Sequence, residues 1–522
     1  MLAGCGASAG QAGAHITGGL VDDHSSAGHR LRQPLGSFAP QREERAHVLV
    51  VGAGVAGLAA AWRMQRAGLE GVRVIELAQQ IGGTSAGGEM AGLRHPWGAH
   101  YLPVPRASQR HLVAQLQDLG LIQGIASNGR LQVANDQLVR APAERVHELG
   151  YWREGLWPAA GSNAEDSAQL QHFEELLSAA SAVDGAAARS FQLPLAQCSK
   201  AQRDLDKESA ADWAARHGLD RERLRWYLEY ATRDDFGASL EDTSAFALLH
   251  YFLAREDTAG EGAEFLTWPE GNARLVEGMA AGLKHPASTG QLALRVEQGA
   301  SGATVDAIDL ASGDNVRWQA EHVVLALPQF INARLLAEDP ARAARQSFRY
   351  SPWVVANLHL SEPPTGRGFP PAWDNVLRNS DSLGYVNATH QLDRDHERDT
   401  IWSWYLPIID SDERAARTQL LASTFEQWRD VILSDLTRPH AGLADYVTRI
   451  EVRRWGHAMV KPVPGFLWGS ARAEAAQPIG RVHFAHSDLS GMALYEEAHW
   501  QGVRAAEEVL VAAKQSFETL LG

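Results

Sequence analysis

A short stretch near the start of the chain constrains the fold more than any other feature. Residues 47–51 are an apolar run typical of a buried parallel strand. The pattern Gly-x-Gly-x-x-Gly follows at once at 52–57, and residues 58–64 are rich in helix formers. A second apolar run, 72–76, ends in an acid. This order predicts a strand, a tight turn, a helix and a second parallel strand.

Each glycine in this motif has a physical role. Gly52 permits the tight turn, Gly54 lets the backbone approach a diphosphate, and Gly57 lets the helix pack closely on the strand. The first helical residues, Val55 and Ala56, offer backbone N–H groups and the positive end of the helix dipole to phosphate oxygens. The motif therefore predicts a dinucleotide-binding site.

The residues that follow favour FAD over NAD. Glu76 can accept hydrogen bonds from ribose hydroxyls, and a second glycine pair, Gly82-Gly83, comes soon after it and precedes Thr84. This arrangement resembles the extended FAD motif of the flavin amine oxidase superfamily, which includes monoamine and polyamine oxidases, protoporphyrinogen oxidase and phytoene desaturases. Members commonly carry an arginine beside the glycine pair. Here the nearest downstream basic residue is Arg94.

The resemblance returns at separated places. Gly98 and Ala99 match the loop that lies beside the flavin ring in the family, and Val296 matches the residue whose backbone contacts the adenine. Asp488 takes the place of a family acid that binds FAD, although His486 stands where the family has glycine. Met492 precedes a helix, 494–510, whose start points at the flavin in relatives. The resemblance implies that these residues bind FAD. Some relatives attach FAD to a cysteine, but no cysteine lies near the corresponding segments here, so non-covalent binding is expected.

The spacing of these matches implies an α/β fold with two interleaved domains. The FAD-binding, Rossmann-like domain is assembled from discontinuous segments, and an α+β substrate domain fills the intervals. Strands are predicted in the second domain at 350–360 and 401–406. The expected division is 1–45 for an N-terminal extension or linker, 46–105, 265–330 and 451–522 for the FAD domain, and 106–264 and 331–450 for the substrate domain.

Four polar or aromatic residues are the catalytic candidates that the resemblance implies near the flavin: His100, His457, Lys461 and Tyr495. A structural role is an equal alternative for each of them. Amine oxidases usually place a lysine in the strand that corresponds to residues 353–360, and this strand has none. Asp234 and the acid after it could attract a cationic amine, although such a pair is usually on the surface.

Composition narrows the partners. The chain has 48 Lys and Arg against 63 Asp and Glu, a net charge of −15, so nucleic acid is not an expected partner. Two cysteines give neither a disulfide framework nor a thiolate metal site, and no metal is expected. No stretch of about 18 apolar residues predicts a transmembrane span.

The first residues, Leu-Ala-Gly-Cys, resemble the end of a bacterial lipoprotein signal, with Cys5 as the lipidated residue. The charged and apolar parts of such a signal are missing. If the true start lies upstream, a periplasmic or cell-envelope location with a lipid anchor is expected. If the match is accidental, a cytoplasmic location is expected.

The expected function is hydride transfer from an amine, or another small reduced organic substrate, to FAD. The electron acceptor stays open between oxygen and a quinone or other redox partner. Two alternatives remain: an FAD-dependent desaturase or isomerase of a hydrophobic polyene, and a flavoprotein of the cell envelope without enzymatic activity.

Overall fold

The computed structural model describes residues 13, 15–21, 24–34, 36–127, 129–181, 191–200, 202–254, 264–392, 399–410 and 412–521. The strands in chain order are β1 Thr17–Leu20, β2 Arg42–Val51, β3 Val72–Ile75, β4 Gly87–Met90, β5 Leu93–Pro96, β6 Tyr101–Pro103, β7 Gly124–Ile125, β8 Leu131–Gln132, β9 Glu144–Glu148, β10 Tyr151–Glu154, β11 Phe265–Thr267, β12 Gln291–Gln298, β13 Ala303–Asp309, β14 Asn315–Leu325, β15 Tyr350–Leu360, β16 Asp374–Leu377, β17 Gly384–Asn387, β18 Thr400–Pro407, β19 Val447–Val460 and β20 Val482–Phe484.

The helices in chain order are α1 Ser25–Gly28, α2 Val55–Arg66, α3 Arg110–Asp118, α4 Ala164–Ser181, α5 Ala210–Arg216, α6 Glu222–Phe236, α7 Ala245–Leu253, α8 Ala273–Ala281, α9 Gln329–Leu335, α10 Arg342–Gln346, α11 Glu413–Ala422, α12 Phe425–Leu436, α13 Leu443–Tyr446, α14 Ser470–Ala476 and α15 Tyr495–Ala512.

The nucleotide-binding sheet has the strand order β12-β13-β14-β2-β3, and β20 also pairs with β14. The strands β20, β14, β2 and β3 run parallel, whereas β12 and β13 join antiparallel. The second half of β2 is wholly buried, which explains its continuous apolar sequence. Helices α2 and α15 pack closely against each other on this sheet. Gly502 permits this contact, since a Cβ there would lie only 2.2 Å from the carbonyl oxygen of Ala56.

The second large sheet has eight strands in the order β1-β19-β15-β18-β17-β16-β9-β10. Alternation along β15 divides its faces. Val354, Ala356 and Leu358 pack with Trp428 of α12 in one apolar cluster, whereas Trp353 and Val355 belong to another cluster on the opposite face. Helix α12 begins at a capping box formed by Thr424 and Gln427. One face of the sheet is therefore closed by helices.

A helical layer completes the molecule. Helices α4 to α7 share a buried cluster that includes Phe173, Trp213, Leu228 and Phe246. Apolar residues at helical spacing, such as Phe173 and Leu177 of α4, face this cluster. The α/β architecture with interleaved sheets, predicted from the sequence, is confirmed.

Two details differ from the predicted division. Strand β19, which begins at Val447, lies in the eight-stranded sheet, although residues from 451 onward were grouped with the FAD domain. The N-terminal extension is not only a linker, since Thr17–Leu20 pairs in parallel with β19. Backbone hydrogen bonds to an open sheet edge fix this segment, and such bonds leave little trace in side-chain periodicity. Cys5 lies outside the described residues.

Candidate nucleotide crevice and substrate cavity

The first glycine loop is packed on two sides and open on one. A Cβ at Gly52, whose φ is 104°, would lie 2.5 Å from the carbonyl oxygen of Ala326. A Cβ at Gly57 would lie 1.9 Å from the carbonyl oxygen of Gly52, but one at Gly54 would meet no atom within 4 Å. The open space lies at the start of α2, where the first amides have no partner inside the helix. The diphosphate of a dinucleotide fits this space.

Glu76 is held beside the same loop. Its carboxylate accepts hydrogen bonds from the amides of Ala53 at 2.7 Å and Ala78 at 2.9 Å. Burial raises the pKa of Glu76, and these amides oppose that rise. The carboxylate is thus fixed at the end of β3, where a ribose could donate to its remaining lone pairs.

The second glycine pair folds against the first loop. Gly82 and Gly83 have φ values of 110° and 58°, and the amide of Gly82 donates to Ala53 at 2.8 Å. Thr84 then accepts a hydrogen bond from the amide of Ala99 at 2.9 Å, and a Cβ at Gly98 would lie 2.3 Å from the Thr84 carbonyl oxygen. The chain therefore brings three separate cofactor candidates, the two glycine loops and the 98–99 loop, to one place.

Asp488, another cofactor candidate, is buried in a polar network. It accepts hydrogen bonds from the Tyr350 hydroxyl at 2.5 Å and the Gln329 amide at 2.9 Å, and His486 Nδ1 lies 2.9 Å from its other oxygen. Burial alone would raise the pKa of Asp488, but His486 and the two donors lower it below the usual value. The carboxyl is therefore ionised and already well partnered.

The remaining cofactor candidates are buried in different ways. Val296 lies on β12, and its carbonyl oxygen accepts a hydrogen bond from Ala337 at 3.2 Å. Met492 packs in the helical cluster with Leu467 and Phe246. The residues that follow it, from Ala493 on, line the substrate cavity, whereas Met492 does not.

A cavity of about 220 Å³ opens beyond Thr84 and the 98–99 loop. It is enclosed by the large sheet, the helical layer and the start of α15. Ten aromatic residues line it: Tyr101, Tyr230, Tyr251, Phe265, Trp353, Trp373, Tyr385, Tyr405, Trp455 and Tyr495. Several are fixed by hydrogen bonds, since the Tyr405 hydroxyl donates to the Gly98 carbonyl at 3.0 Å and the Trp455 indole donates to the Trp97 carbonyl at 2.9 Å. Rigid aromatic walls exclude water and suit an organic substrate.

The cavity carries one sign of charge. Its carboxyl groups are Glu144, Asp234, Asp235, Asp374 and Glu496, and none of the described residues that line it is Lys or Arg. Burial, then Asp234 and Glu144, raise the pKa of Asp374 well above its usual value. These groups are therefore close enough to repel one another, and a cation would relieve that repulsion.

The catalytic candidates separate into two pairs. His100 and Tyr495 line the cavity. The His100 ring lies 5.1 Å from the Tyr405 ring and 5.3 Å from the Trp373 ring, and burial lowers its pKa to about 4, so it is neutral at pH 7. The Tyr495 hydroxyl accepts a hydrogen bond from Gln115 at 2.6 Å, and burial raises its pKa.

His457 and Lys461 lie elsewhere. The His457 ring stacks on Phe330 at 4.0 Å, and neither residue lines the cavity. Lys461 is fully buried, and its Nζ lies 3.3 Å from Asp242 and 3.1 Å from Glu413. Lys461 therefore belongs to a buried group of ion pairs just after β19, and it does not line the cavity.

Sequence reasoning missed several residues of the cavity. Asp374 is the first residue of the short strand β16, which no motif marks, and Trp373 immediately precedes it. The acids at 234 and 235 lie near the end of α6 inside the cavity wall rather than on the surface. Tyr405 belongs to a strand that was predicted, and alternation along it was the one available signal for an inward-facing side chain.

Other classes of site are absent from the described part of the chain. No group of three or more His, Cys, Asp or Glu side chains there could hold a metal ion. None of the described helices combines the length and the apolar character that crossing a bilayer requires. Cys198 is buried in the helical cluster, and burial raises its pKa to about 12.

Comparison with known proteins identifies solved structures that share this fold. Putrescine oxidase bound to putrescine superimposes with a TM-score of 0.65 at 19% identity, over 90% of this chain and 100% of that one. Cyclohexylamine oxidase from Brevibacterium oxydans gives 0.64 at 17% identity, over 90% and 99%. A fatty acid isomerase from P. acnes gives 0.61 at 16% identity, over 90% and 98%.

These similarities establish the shared fold. Comparison with curated protein sequences gives no match. The sequence model of flavin-containing amine oxidoreductases matches residues 55–510, which is most of the chain. The resemblance inferred from the glycine motifs is thereby confirmed, and the chain is a flavin-dependent oxidoreductase that belongs to the flavin-containing amine oxidoreductase family.

Proposed function

We propose that this protein holds FAD non-covalently and oxidises a cationic amine. The observation that carries the proposal is the charge of the cavity: five carboxyl groups line it, with no lysine or arginine among the described lining residues. At a separation of ~5 Å and an effective dielectric constant of ~20, each of these groups that is ionised would attract an ammonium by about 3 kcal/mol. A neutral analogue of the same shape would gain nothing comparable.

The same charge argues against anionic substrates. A fatty acid would bring its carboxylate into a cavity that already contains mutually repelling acids such as Asp234 and Asp374. The fatty acid isomerase among the structural neighbours therefore supports the fold and does not support that substrate here. An uncharged polyene is not repelled, but it carries no charge that would offset the repulsion among these acids.

The chain's own residues would bind and orient the amine. Bound FAD supplies the acceptor for the hydride that leaves the carbon beside the nitrogen. Trp353, Tyr405 and Trp455 offer ring faces to a cation and keep water out. Asp374, whose pKa is raised, can retain a proton at a pH where an ordinary aspartate has lost it. The neutral His100 is best placed to hydrogen-bond and orient, and not to act as a strong base.

Non-covalent attachment of FAD is supported by the position of Cys198. This thiol lies in the helical cluster, and its raised pKa keeps it protonated and unreactive. The proposal is tested by denaturing the yellow protein. FAD should be released into the supernatant, and flavin that stays with the precipitated chain would contradict it.

The substrate is tested by anaerobic titration with matched compounds while flavin absorbance is followed. Primary amines, their alcohol and carboxylate analogues, and a polyene should be compared. Bleaching by amines alone is the expected result. Bleaching or turnover with the polyene alone would favour a desaturase or isomerase. Stable flavin that no compound reduces would favour a flavoprotein without enzymatic activity.

Electron acceptor and location are separate parts of the proposal. We propose oxygen or a quinone as acceptor, to be distinguished by reoxidation of reduced enzyme with air or with a soluble quinone. We also propose a lipid anchor at Cys5 in the cell envelope, because the residues before it match a lipoprotein signal. Labelling with a radioactive fatty acid that is lost in Cys5→Ser would support the anchor. Absence of labelling in the parent protein would contradict it.

A further inference from the structure

Residues near the N-terminus are hydrogen-bonded to both large sheets. The amide of Val21, just after β1, donates to the carbonyl of Val452 on β19 at 2.8 Å. The amide of Gln41, just before β2, donates to Asn315 at 2.9 Å at the edge of the nucleotide-binding sheet. The intervening residues 24–34, called the strap below, comprise α1 and a 3-10 turn at His29–Arg32.

The strap contacts the adenine side of the crevice. Leu31 packs against the buried cluster that contains Ile75 and Val296. Arg30 and Pro34 line a second cavity, of about 320 Å³, whose other wall includes Leu294 and Leu336. Ile75 directly precedes Glu76, and Val296 is itself one of the residues predicted to hold the nucleotide. The strap therefore lies beside the part of β12 that contains Val296, since Leu336, which pairs with Val296, lines the same cavity as Arg30.

Electrostatic coupling shows how far along the crevice the strap reaches. Burial raises the pKa of Glu76, and His24 lies near enough to lower it. Burial lowers the pKa of His457 to about 3, and Arg417, Arg32 and His29 lower it further. The strap is thus close to Glu76 at the ribose end and to the neighbourhood of His457 at the other.

The strap is basic in an acidic protein. Residues 24–42 contain histidines and arginines and no Asp or Glu, whereas the whole chain has a net charge of −15. Among the described contacts, neither Arg30 nor Arg32 has an ion-pair or hydrogen-bond partner for its guanidinium. Two unpaired arginines beside an anion-binding crevice are available for an anionic ligand.

The glycine loops cannot neutralise a diphosphate by themselves. They offer backbone amides and about half a charge from the dipole of α2. The nearest basic side chain after the second glycine pair, Arg94, lies 3.3 Å from Glu270 and 2.6 Å from Glu277 and is already paired. Cations from another segment would therefore strengthen the binding of a diphosphate here.

We propose that the strap closes over bound FAD, with Arg30 and Arg32 supplying the cations for its diphosphate. This inference rests on the proposed function, because it assumes that the crevice binds FAD. It makes the strap part of the cofactor site, so that FAD can leave only when the strap moves. Affinity should then depend on salt, since part of it is an arginine–phosphate attraction.

The test is FAD binding by the full chain, measured by flavin fluorescence after removal and readdition of the cofactor. R30Q/R32Q should weaken FAD binding about tenfold, speed its release and flatten its dependence on salt. Both side chains are exposed, so the fold should be kept, which an unchanged melting temperature of the apoprotein would verify. R153Q/R367Q removes two exposed arginines at other sites and should bind FAD as the parent does.

A second variant tests whether the remaining strap residues can retain FAD when Arg30 and Arg32 have been replaced. Removal of residues 1–36 leaves β2 and the glycine motif intact and should speed FAD release further. Equal affinity and release rate in the parent, R30Q/R32Q and this variant would overturn the strap inference and leave the proposed function standing. If the parent chain fails to take up FAD at all, both are overturned.

Discussion

The nucleotide crevice and the substrate cavity differ in the groups that form them, which are backbone groups in the crevice and side chains in the cavity. The crevice is formed by backbone: Gly52, Gly54 and Gly57 act by lacking a side chain, and its polar groups are mainly amides. The cavity is formed by side chains, such as Asp374 and Tyr405, that come from distant segments. A backbone site tolerates little variation, whereas a side-chain site can be changed residue by residue without altering the fold.

The largest expected effect lies in the crevice. Gly54→Val should fold normally, because φ at Gly54 is −76° and no atom lies within 4 Å of the added Cβ. The valine would fill the space meant for the diphosphate, so FAD affinity should fall about 100-fold, which is about 2.7 kcal/mol. Titration of apoprotein with FAD measures it. Gly282→Ala, in a helix end away from the site, is the control. Unchanged affinity in Gly54→Val would show that the diphosphate does not bind there.

The next largest effect lies in the cavity. Asp374→Asn should lower kcat/KM for amines about tenfold to 100-fold, because an asparagine can never take on the negative charge that an ammonium in the cavity would stabilise. FAD affinity should stay the same, since the cavity acids are not part of the crevice. Asp136→Asn, an exposed acid, is the matched control. Parallel loss of FAD in Asp374→Asn would contradict the separation of the two regions.

The two regions should also respond to pH with opposite signs. The pKa of Asp374 is raised in the folded state, so its contribution to stability is present in acid and is lost as pH rises through the raised value. Asp374→Asn should therefore raise the melting temperature by about 2–4 °C at pH 8 and by less at pH 4. A difference independent of pH would argue against a titrating carboxyl.

In the nucleotide-binding region, folding stability is expected to fall as the pH becomes more acidic. His111 and His499 are buried together, with their Nδ1 atoms 3.0 Å apart, and burial lowers the pKa of His111 to about 3. Its contribution is present above the ordinary value near 6.5 and is lost as pH falls below it. His111→Asn should reduce the loss of stability between pH 6.5 and pH 4, by about 1 kcal/mol or more, in urea unfolding series. An identical pH profile in the variant would count against this.

The smallest effect is expected where the two regions meet. Tyr405→Phe removes the hydrogen bond to the Gly98 carbonyl but keeps the aromatic wall. A loss of about 1 kcal/mol, roughly fivefold in kcat/KM, is expected because one hydrogen bond to the backbone is lost. Tyr151→Phe, an exposed tyrosine, should change nothing. A loss of 100-fold or more would mean that the hydroxyl takes part in the chemistry.

The sequence by itself determined the features that depend on neighbouring residues. The glycine motif, the strand before it and the helix after it are local, because turn geometry and helix packing restrict which residue fits each position. The strands predicted at 350–360 and 401–406 correspond to β15 and β18 for the same reason. The family resemblance also placed the last helix, expected at 494–510 and observed as Tyr495–Ala512.

Only the tertiary structure decided which distant side chains meet. It put Asp234 and Asp235 in the cavity wall rather than at the surface, and it gave Lys461 to Asp242 and Glu413. It also attached the N-terminal segment to the edge of β19. Charge pairing and burial are set by distance in space, which chain position does not encode. The cavity and its charge could therefore be seen only after the two sheets and the helical layer had been brought together.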